Sequence, residues 1–447
     1  YRYRFRWPRP RADHHPAGMM TYEEAIRYLF TATPVFQHQG GSAYKPGLGT
    51  VETIDRLLGH PHKAYRTIHV TGTNGKGSTA STLAAILQAA GMRVGLFTSP
   101  HLVDFRERIR VNGICITEEY VVDFCERTRE MVTTLHPSFF ELTTMMAFDY
   151  FRHAQVDMAL IEVGMGGRLD STNIITPILS IITNIGKDHV QFLGDTPEKI
   201  AFEKAGIIKS GVPVVVGRAE GGVRHVFQHK ADEERADIVF AQESGVIISS
   251  TLENGCYTYQ TRDYGSVRGE LTGLAQEENA RTILCAVEVL SKRCGLNLSS
   301  EHVREGFAHV TAMSGLFGRW QQLAEQPRIV CDTGHNEDGF RLITEQLRRQ
   351  TYRQLRIVFG MVNDKDITAV LALLPREAVY YFTRASVDRA LPEDDLRQQA
   401  AAFGLVGNTY SSVREALEAA RREAHADDFI FVGGSNFIVA DLLEEFK

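Results

Sequence analysis

Residues 67–79 read TIHVTGTNGKGST, an apolar run, a glycine-rich turn and the start of a helix. Gly72, Gly75 and Gly77 remove the Cβ atoms that would keep backbone N–H groups from converging on phosphate oxygens. The positive end of the following helix adds to that attraction. Lys76 supplies a point charge for β- and γ-phosphates, the Ser78 hydroxyl can ligate Mg²⁺, and Thr73, Asn74 and Thr79 complete the cradle. The spacing departs from GxxxxGK[ST], because Gly77 stands between lysine and serine. A glycine-rich turn carrying a surface lysine is the bland alternative. The strand before, the helix after and the Lys-Gly-Ser-Thr order argue for a nucleotide loop.

Other residues of chemical interest fall at corresponding places in the pattern. Glu162 ends the apolar run MALIEV and precedes a Met-Gly-Gly turn. It therefore points out of a sheet's carboxyl edge, where α/β proteins bind ligands. Asp332 and His335 follow the apolar run Arg328–Cys331 in the same way, and Arg319 just before it can act as a fork donor to phosphate.

These residues need a scaffold of alternating strands and helices. Thr67–Val70, Val94–Phe97, Met158–Val163, Ile178–Thr183 and Pro213–Val216 read as strands, with a helix over Ser78–Ala90. Their continuous apolar character fits parallel strands covered on both faces. The fold class is α/β, a doubly wound N-terminal domain of P-loop type. Residues 246–268 differ in texture and read as an antiparallel hairpin excursion before a helix near Glu277. A second series, Arg328–Cys331, Arg356–Gly360, Val379–Phe382 and Phe429–Val432, forms a smaller Rossmann-like C-terminal domain. The expected divisions are 19–314 for ATP binding and 315–447 for the C-terminal domain, with a cleft between them. Residues 1–18 carry five arginines without an apolar h-region and are expected to be disordered or an upstream extension. Thr21 is the expected N-cap of a helix over TYEEAIRYLF.

Composition narrows the class. The chain has 447 residues, 43% hydrophobic and 23% charged, with a net charge of −6. That balance argues against nucleic acid as the main partner. No apolar run reaches bilayer length. Six cysteines form no CxxC pair, as expected of reduced cytoplasmic thiols.

The variant loop GTNGKGS resembles that of the Mur ligases. Further segments resemble folylpolyglutamate synthase and dihydrofolate synthase: Thr98–Leu102 with Phe105–Arg110, Glu162–Asn173, Asp188-His189 with Leu193-Gly194, and Glu203–Lys209. The order continues through Phe317–Gln321, Asp332–Asn336 and Gly360–Asp366, so the resemblance spans about residues 20–447. It implies a Mur-ligase-like enzyme that phosphorylates a carboxylate with ATP and couples it to an amine. Metals in two Mg²⁺ sites would be held by Ser78, Ser99, Glu162 and His189. Lys76, Lys204 and His189 would be catalytic, with Lys204 carried as a carbamate. Asn279, Arg319, Asp332 and His335 would join the loop in binding ATP. Gly47, Leu48, Phe140, Glu141, Leu142, Thr143, Leu169, Asp170 and Ser171 would hold the acid substrate. Lys45, Pro46 and Ser171 depart from the pattern common in bifunctional relatives, and these departures fall on acid-substrate segments. Ala275 stands where a histidine is common, one residue before the Gln-x-x-Asn-Ala helix start.

The implied reaction is addition of L-glutamate to dihydropteroate, to folate, or to both, by a cytoplasmic monomer. Folylpolyglutamate synthase activity alone and a cell-wall amino-acid ligase remain as alternatives. The latter normally needs a further N-terminal domain. A non-catalytic nucleotide switch has no need of a second metal position.

Overall fold

A computed structural model of the chain describes residues 18–33, 47–253, 255–363 and 366–446. The expectation for residues 1–18 falls outside that range but for Gly18, and so does the Lys45-Pro46 departure. The first helix is Tyr22–Ala32, and Thr21 caps it through a reciprocal pair with Glu24.

The first sheet has eight strands: β1 (Arg66–Thr71), β2 (Val94–Phe97), β3 (Ile109–Val111), β4 (Ile114–Cys115), β5 (Met158–Glu162), β6 (Leu179–Ile182), β7 (Val214–Val216) and β8 (Ile238–Phe240). Their order is β4-β3-β2-β5-β1-β6-β7-β8, parallel from β2 to β8, with β3 and β4 antiparallel at one edge. From β1 the chain moves to one side, to β2 and then β5, and afterwards to the other, to β6. The crevice at the carboxyl end of β1 is thus the switch point at which ligands of open α/β sheets bind.

Strand β5 shows why the apolar runs read correctly. It sends Met158 and Leu160 into one core and Ala159 and Ile161 into the core on the opposite face. The first core is covered by helices Lys76–Ala89, Ala275–Arg293 and Ser300–Ala308, and the second by Phe139–His153 and Glu118–Arg127. The excursion is a three-stranded antiparallel sheet of β9 (Ile247–Glu253), β10 (Cys256–Thr261) and β11 (Ser266–Gly269).

The second sheet contains β12 (Gln321–Glu325), β13 (Arg328–Asp332), β14 (Leu355–Phe359), β15 (Ala378–Phe382), β16 (Gly407–Thr409) and β17 (Phe429–Gly433). Its order is β12-β13-β17-β14-β15-β16, with only β12 antiparallel. Helix Val310–Ser314 and Gly315, in left-handed conformation at φ 80°, lead into it. The expected strands fall within about one residue of those observed. Five strands were not expected: β3, β4, β8, β12 and β16. They are two to five residues long and lie at or next to sheet edges; β3 is buried but has only three residues, one of them Arg110, and the other strands bury little apolar surface.

Candidate active site

The glycine loop leaves β1 and enters helix Lys76–Ala89 with Gly75 at its N-cap, φ 84°. The turn has no room for side chains. A Cβ on Gly72 would lie 1.7 Å from Thr183 Oγ1, and one on Gly75 would lie 2.2 Å from Asn279 Oδ1. The loop is bound to the end of β6: the Thr73 amide donates to Asn184 O at 3.0 Å, and the Asn74 amide to Asn184 Oδ1 at 3.0 Å. Asn336, from the second sheet, donates its side-chain N–H to Asn74 Oδ1 at 3.0 Å. Gly75→Ala combines a left-handed backbone with a collision on Asn279. It is expected to weaken ATP binding by at least about tenfold, read as a Kd by calorimetry.

Thr73, Asn74, Gly75, Lys76 and Gly77 form one wall of a cavity at the carboxyl edges of both sheets. Glu162, at the tip of β5, faces them. Its carboxyl group is buried and Oε2 has no hydrogen-bond partner. Burial pushes its pKa up to about 7, against the pull of the Lys76, Arg319 and Arg108 cations and the Ser99 amide. Ser99, His189, Arg319 and His335 line the same cavity. His189 sits in left-handed conformation at the start of the short helix Val190–Leu193. His335 Nε2 lies 3.2 Å from Asp188 Oδ2, a contact between the two sheets' loops. Arg319 donates to Thr333 Oγ1.

Phe140, Leu169, Asp170 and Ser171 form the other end of the cavity. Phe140 stacks on Phe97 with ring centroids 5.8 Å apart. Gly164 lets it approach, since a Cβ there would lie 2.5 Å from Phe140 Cζ. Lys204 is buried behind this end, on helix Pro197–Ala205. Burial, helped by the Lys76 charge, lowers its pKa to about 7, while Asp188 and Asp170 oppose the shift.

Several expected site residues are placed elsewhere. Glu141 is in the capping box of helix Phe139–His153, accepting from the Ser138 amide at 2.9 Å. Leu142 is core, and Thr143 donates its hydroxyl back to Phe139 O at 2.7 Å. Gly47 and Leu48 precede helix Gly49–Leu57, with Leu48 packed on the second core, and neither lines the cavity. Asp332 accepts from the Trp320 amide at 2.8 Å and the Gly334 amide at 2.7 Å, so it holds a turn. Ser78 and Thr79 are buried inside the helix start, and Ser78 Oγ accepts from Gln276 Nε2 at 3.2 Å. Gln276 is in turn the acceptor for Asn279 Nδ2 at 3.1 Å. Gly72 and Asn279 shape the loop from below.

The sequence reading assigned no role to Arg108. It is buried, lines the cavity, donates to His101 Nδ1 at 2.7 Å and is held down to about 10 by burial. Its motif, Phe105–Arg110, was visible in the sequence. Its direction was not.

Residues 70–244 match the Mur ligase middle domain, and residues 318–436 match the Mur ligase, glutamate ligase domain. The dihydrofolate synthase/folylpolyglutamate synthase of Bacillus subtilis (strain 168) is 32% identical over 417 residues, covering 90% of this chain and 95% of that protein. The Escherichia coli FolC structure in complex with DHPP and ADP superposes with a TM-score of 0.82 at 30% identity, over 96% of this chain and 99% of that one. A bifunctional folylpolyglutamate synthase/dihydrofolate synthase with Mn, AMPPNP and L-glutamate bound gives a TM-score of 0.79 at 30% identity, over 95% of this chain and 98% of that one. Among the described residues no helix is long and apolar enough to cross a membrane. With both Mur ligase domains in order and near-complete coverage of the Bacillus subtilis and Escherichia coli proteins, the chain belongs to the dihydrofolate synthase/folylpolyglutamate synthase family of the Mur ligase superfamily and is an ATP-dependent carboxylate–amine ligase.

Proposed function

We propose that this chain joins L-glutamate to the carboxylate of dihydropteroate, of a reduced folate, or of both. A carboxylate oxygen of the acid attacks the γ-phosphorus of ATP and ADP leaves, giving an acyl phosphate. The glutamate nitrogen then attacks the acyl carbon, phosphate leaves, and the amine's proton passes to solvent. The observation that carries this reading is one cavity with a phosphate loop at one end, Phe140 and Asp170 at the other, and the buried Glu162 carboxyl between them.

The main obstacle is charge, since an anionic acid must reach a polyanionic phosphate. Lys76 and Arg319 supply fixed positive charge at the loop. Asn279, Asp332 and His335 are assigned to ATP, the first two acting through the shape of the loop and of the Trp320–Gly334 turn. Ser99, Glu162 and His189, which line the cavity, are assigned to two Mg²⁺ ions; Ser78 joins them only if its buried hydroxyl, which accepts from Gln276, turns its free lone pair to the loop. The hydroxyl and carboxylate oxygens of this set suit a hard cation, the His189 nitrogen less so, and Glu162 Oε2 is a buried acceptor with no protein donor. Bound there, the ions would supply further shielding of phosphate charge. Burial of Lys204 supports its carbamylation, because only a neutral amine reacts with CO₂. The chain divides functionally near residue 314, each part bringing one sheet edge to the cavity.

The test is ADP release by purified protein offered dihydropteroate, tetrahydrofolate or a cell-wall precursor, each with and without glutamate. Glutamate-dependent release with either of the first two is expected, and release with only one of them fixes the acid. Activity confined to the cell-wall precursor would overturn the reading. Release indifferent to glutamate would instead indicate a nucleotide switch.

A further inference from the structure

His69 lies in the middle of β1, fully buried, and the rest of Thr67–Thr71 is apolar or β-branched. Its Nε2 is 2.8 Å from Thr172 Oγ1, and Thr172 Oγ1 is 2.5 Å from Asp170 Oδ2. Asp170 Oδ2 also accepts the Thr172 amide at 3.1 Å, and Oδ1 accepts the Met165 amide at 2.9 Å. Asp170 borders the cavity; His69 and Thr172 do not.

We propose that His69 is a positioning residue which, through the Thr172 hydroxyl, holds Asp170 as an ionised carboxylate that can only accept hydrogen bonds, so that Asp170 selects an acid substrate presenting N–H donors. The inference rests on the reading of Asp170 as a substrate contact.

The direction of the relay follows from its two ends. If Asp170 is ionised, the Thr172 hydroxyl donates to it, and Thr172 Oγ1 accepts from His69 Nε2–H. His69 Nδ1 is then a bare acceptor, and Nδ1 has no partner in its buried surroundings. Protonating Asp170 reverses the chain: Asp170 donates to Thr172, Thr172 donates to Nε2, and the imidazole proton must move to Nδ1. That leaves a buried N–H donor without an acceptor, which is costly. The relay therefore resists the upward push that burial exerts on Asp170. Charging the imidazole is no escape, because burial and the Lys209 charge hold His69 down to about 3. Lys204 is the other charged group facing the relay, on the Asp170 side, and its positive form favours the carboxylate.

The test is steady-state kinetics on His69→Leu, Thr172→Val, His69→Gln and Asp170→Asn, using the acid substrate that supports turnover. His69→Leu and Thr172→Val should each raise the acid's KM about tenfold, leaving kcat and the KM for ATP within about twofold. Their acid limb of kcat/KM should move up by about one pH unit, because Thr172→Val removes a donor to the carboxylate and His69→Leu frees the Thr172 hydroxyl to accept from a protonated Asp170 instead. His69→Gln, which keeps an N–H donor, should restore most of both. A uniform loss with an unmoved pH profile would mean a structural role only, and overturn the proposal. Should His69→Leu fail to fold, Thr172→Val carries the test, since it deletes the relay at nearly constant volume. If Asp170→Asn leaves the acid's KM unchanged, the substrate reading of Asp170 fails. If it raises KM while the His69 and Thr172 variants change nothing, the relay alone fails.

Discussion

Lys76→Ala is expected to lower kcat by about a thousandfold, with a smaller rise in the KM for ATP. Lys76 opens helix Lys76–Ala89, so its ammonium adds to the helix's positive end on the cavity wall. A fixed charge at that point opposes the charge that builds up as a carboxylate meets the γ-phosphate, and so acts mostly in the transition state. The lysine also sets its neighbours. Its charge draws Glu162 towards the carboxylate and Lys204 towards the neutral amine. Removing it should therefore raise both pKa values and shift the acid limb of the pH–rate profile to higher pH. Lys76→Arg should recover little, because a planar fork does not replace a compact ammonium between backbone amides. The measurement is single-turnover acyl transfer across pH 6–9 as a working range. A loss below about tenfold would show that the loop amides and Arg319 suffice without Lys76.

What could be read in the sequence depended on how far away each residue's partner lies. Strand β5 was legible because both its faces are apolar, and β14 and β17 follow the same logic with alternate residues in two cores. The edge strands β4, β12 and β16 bury too little to leave a pattern, and β3, though buried, is too short at three residues to show one. The loop was legible because its chemistry is local to seven residues. Glu141 was assigned to the acid substrate although Ser138-x-x-Glu141 is a capping box that the sequence displays openly. Resemblance outweighed a local signal there. Asp332 likewise combined a matching motif with a local turn role. The inward direction of Arg108, the Asp188–His335 contact and the His69–Thr172 pair could not be read at all. The last two join residues separated by 147 and 103 positions, and spacing carries no trace of such contacts.

Lys204→Ala is expected to cost about a hundredfold to a thousandfold in kcat, and formate or acetate should restore part of it. A lysine buried at the site is an odd choice if its role is to be a cation. Burial lowers its pKa to about 7, so much of it is neutral at physiological pH. A neutral Nζ can attack the carbon of CO₂, and one proton leaves to solvent, converting a cation into an anion. The balance of neighbours matters to this step. Asp188 and Asp170 favour the ammonium, whereas Lys76 disfavours it and would attract the carbamate. Because carbamate needs the free amine, its yield falls as pH drops through about 7. Wild-type activity in CO₂-depleted buffer should accordingly fall more at pH 6.5 than at pH 8.5 and recover on adding bicarbonate, pH values chosen about equally either side of neutrality. Mass spectrometry does not preserve the adduct reliably, so ¹³C NMR of protein in labelled bicarbonate is the direct measurement. A Lys204→Ala enzyme with full activity, unmoved by short carboxylates, would remove the carbamate from the mechanism and leave Lys204 as a buried amine with another purpose.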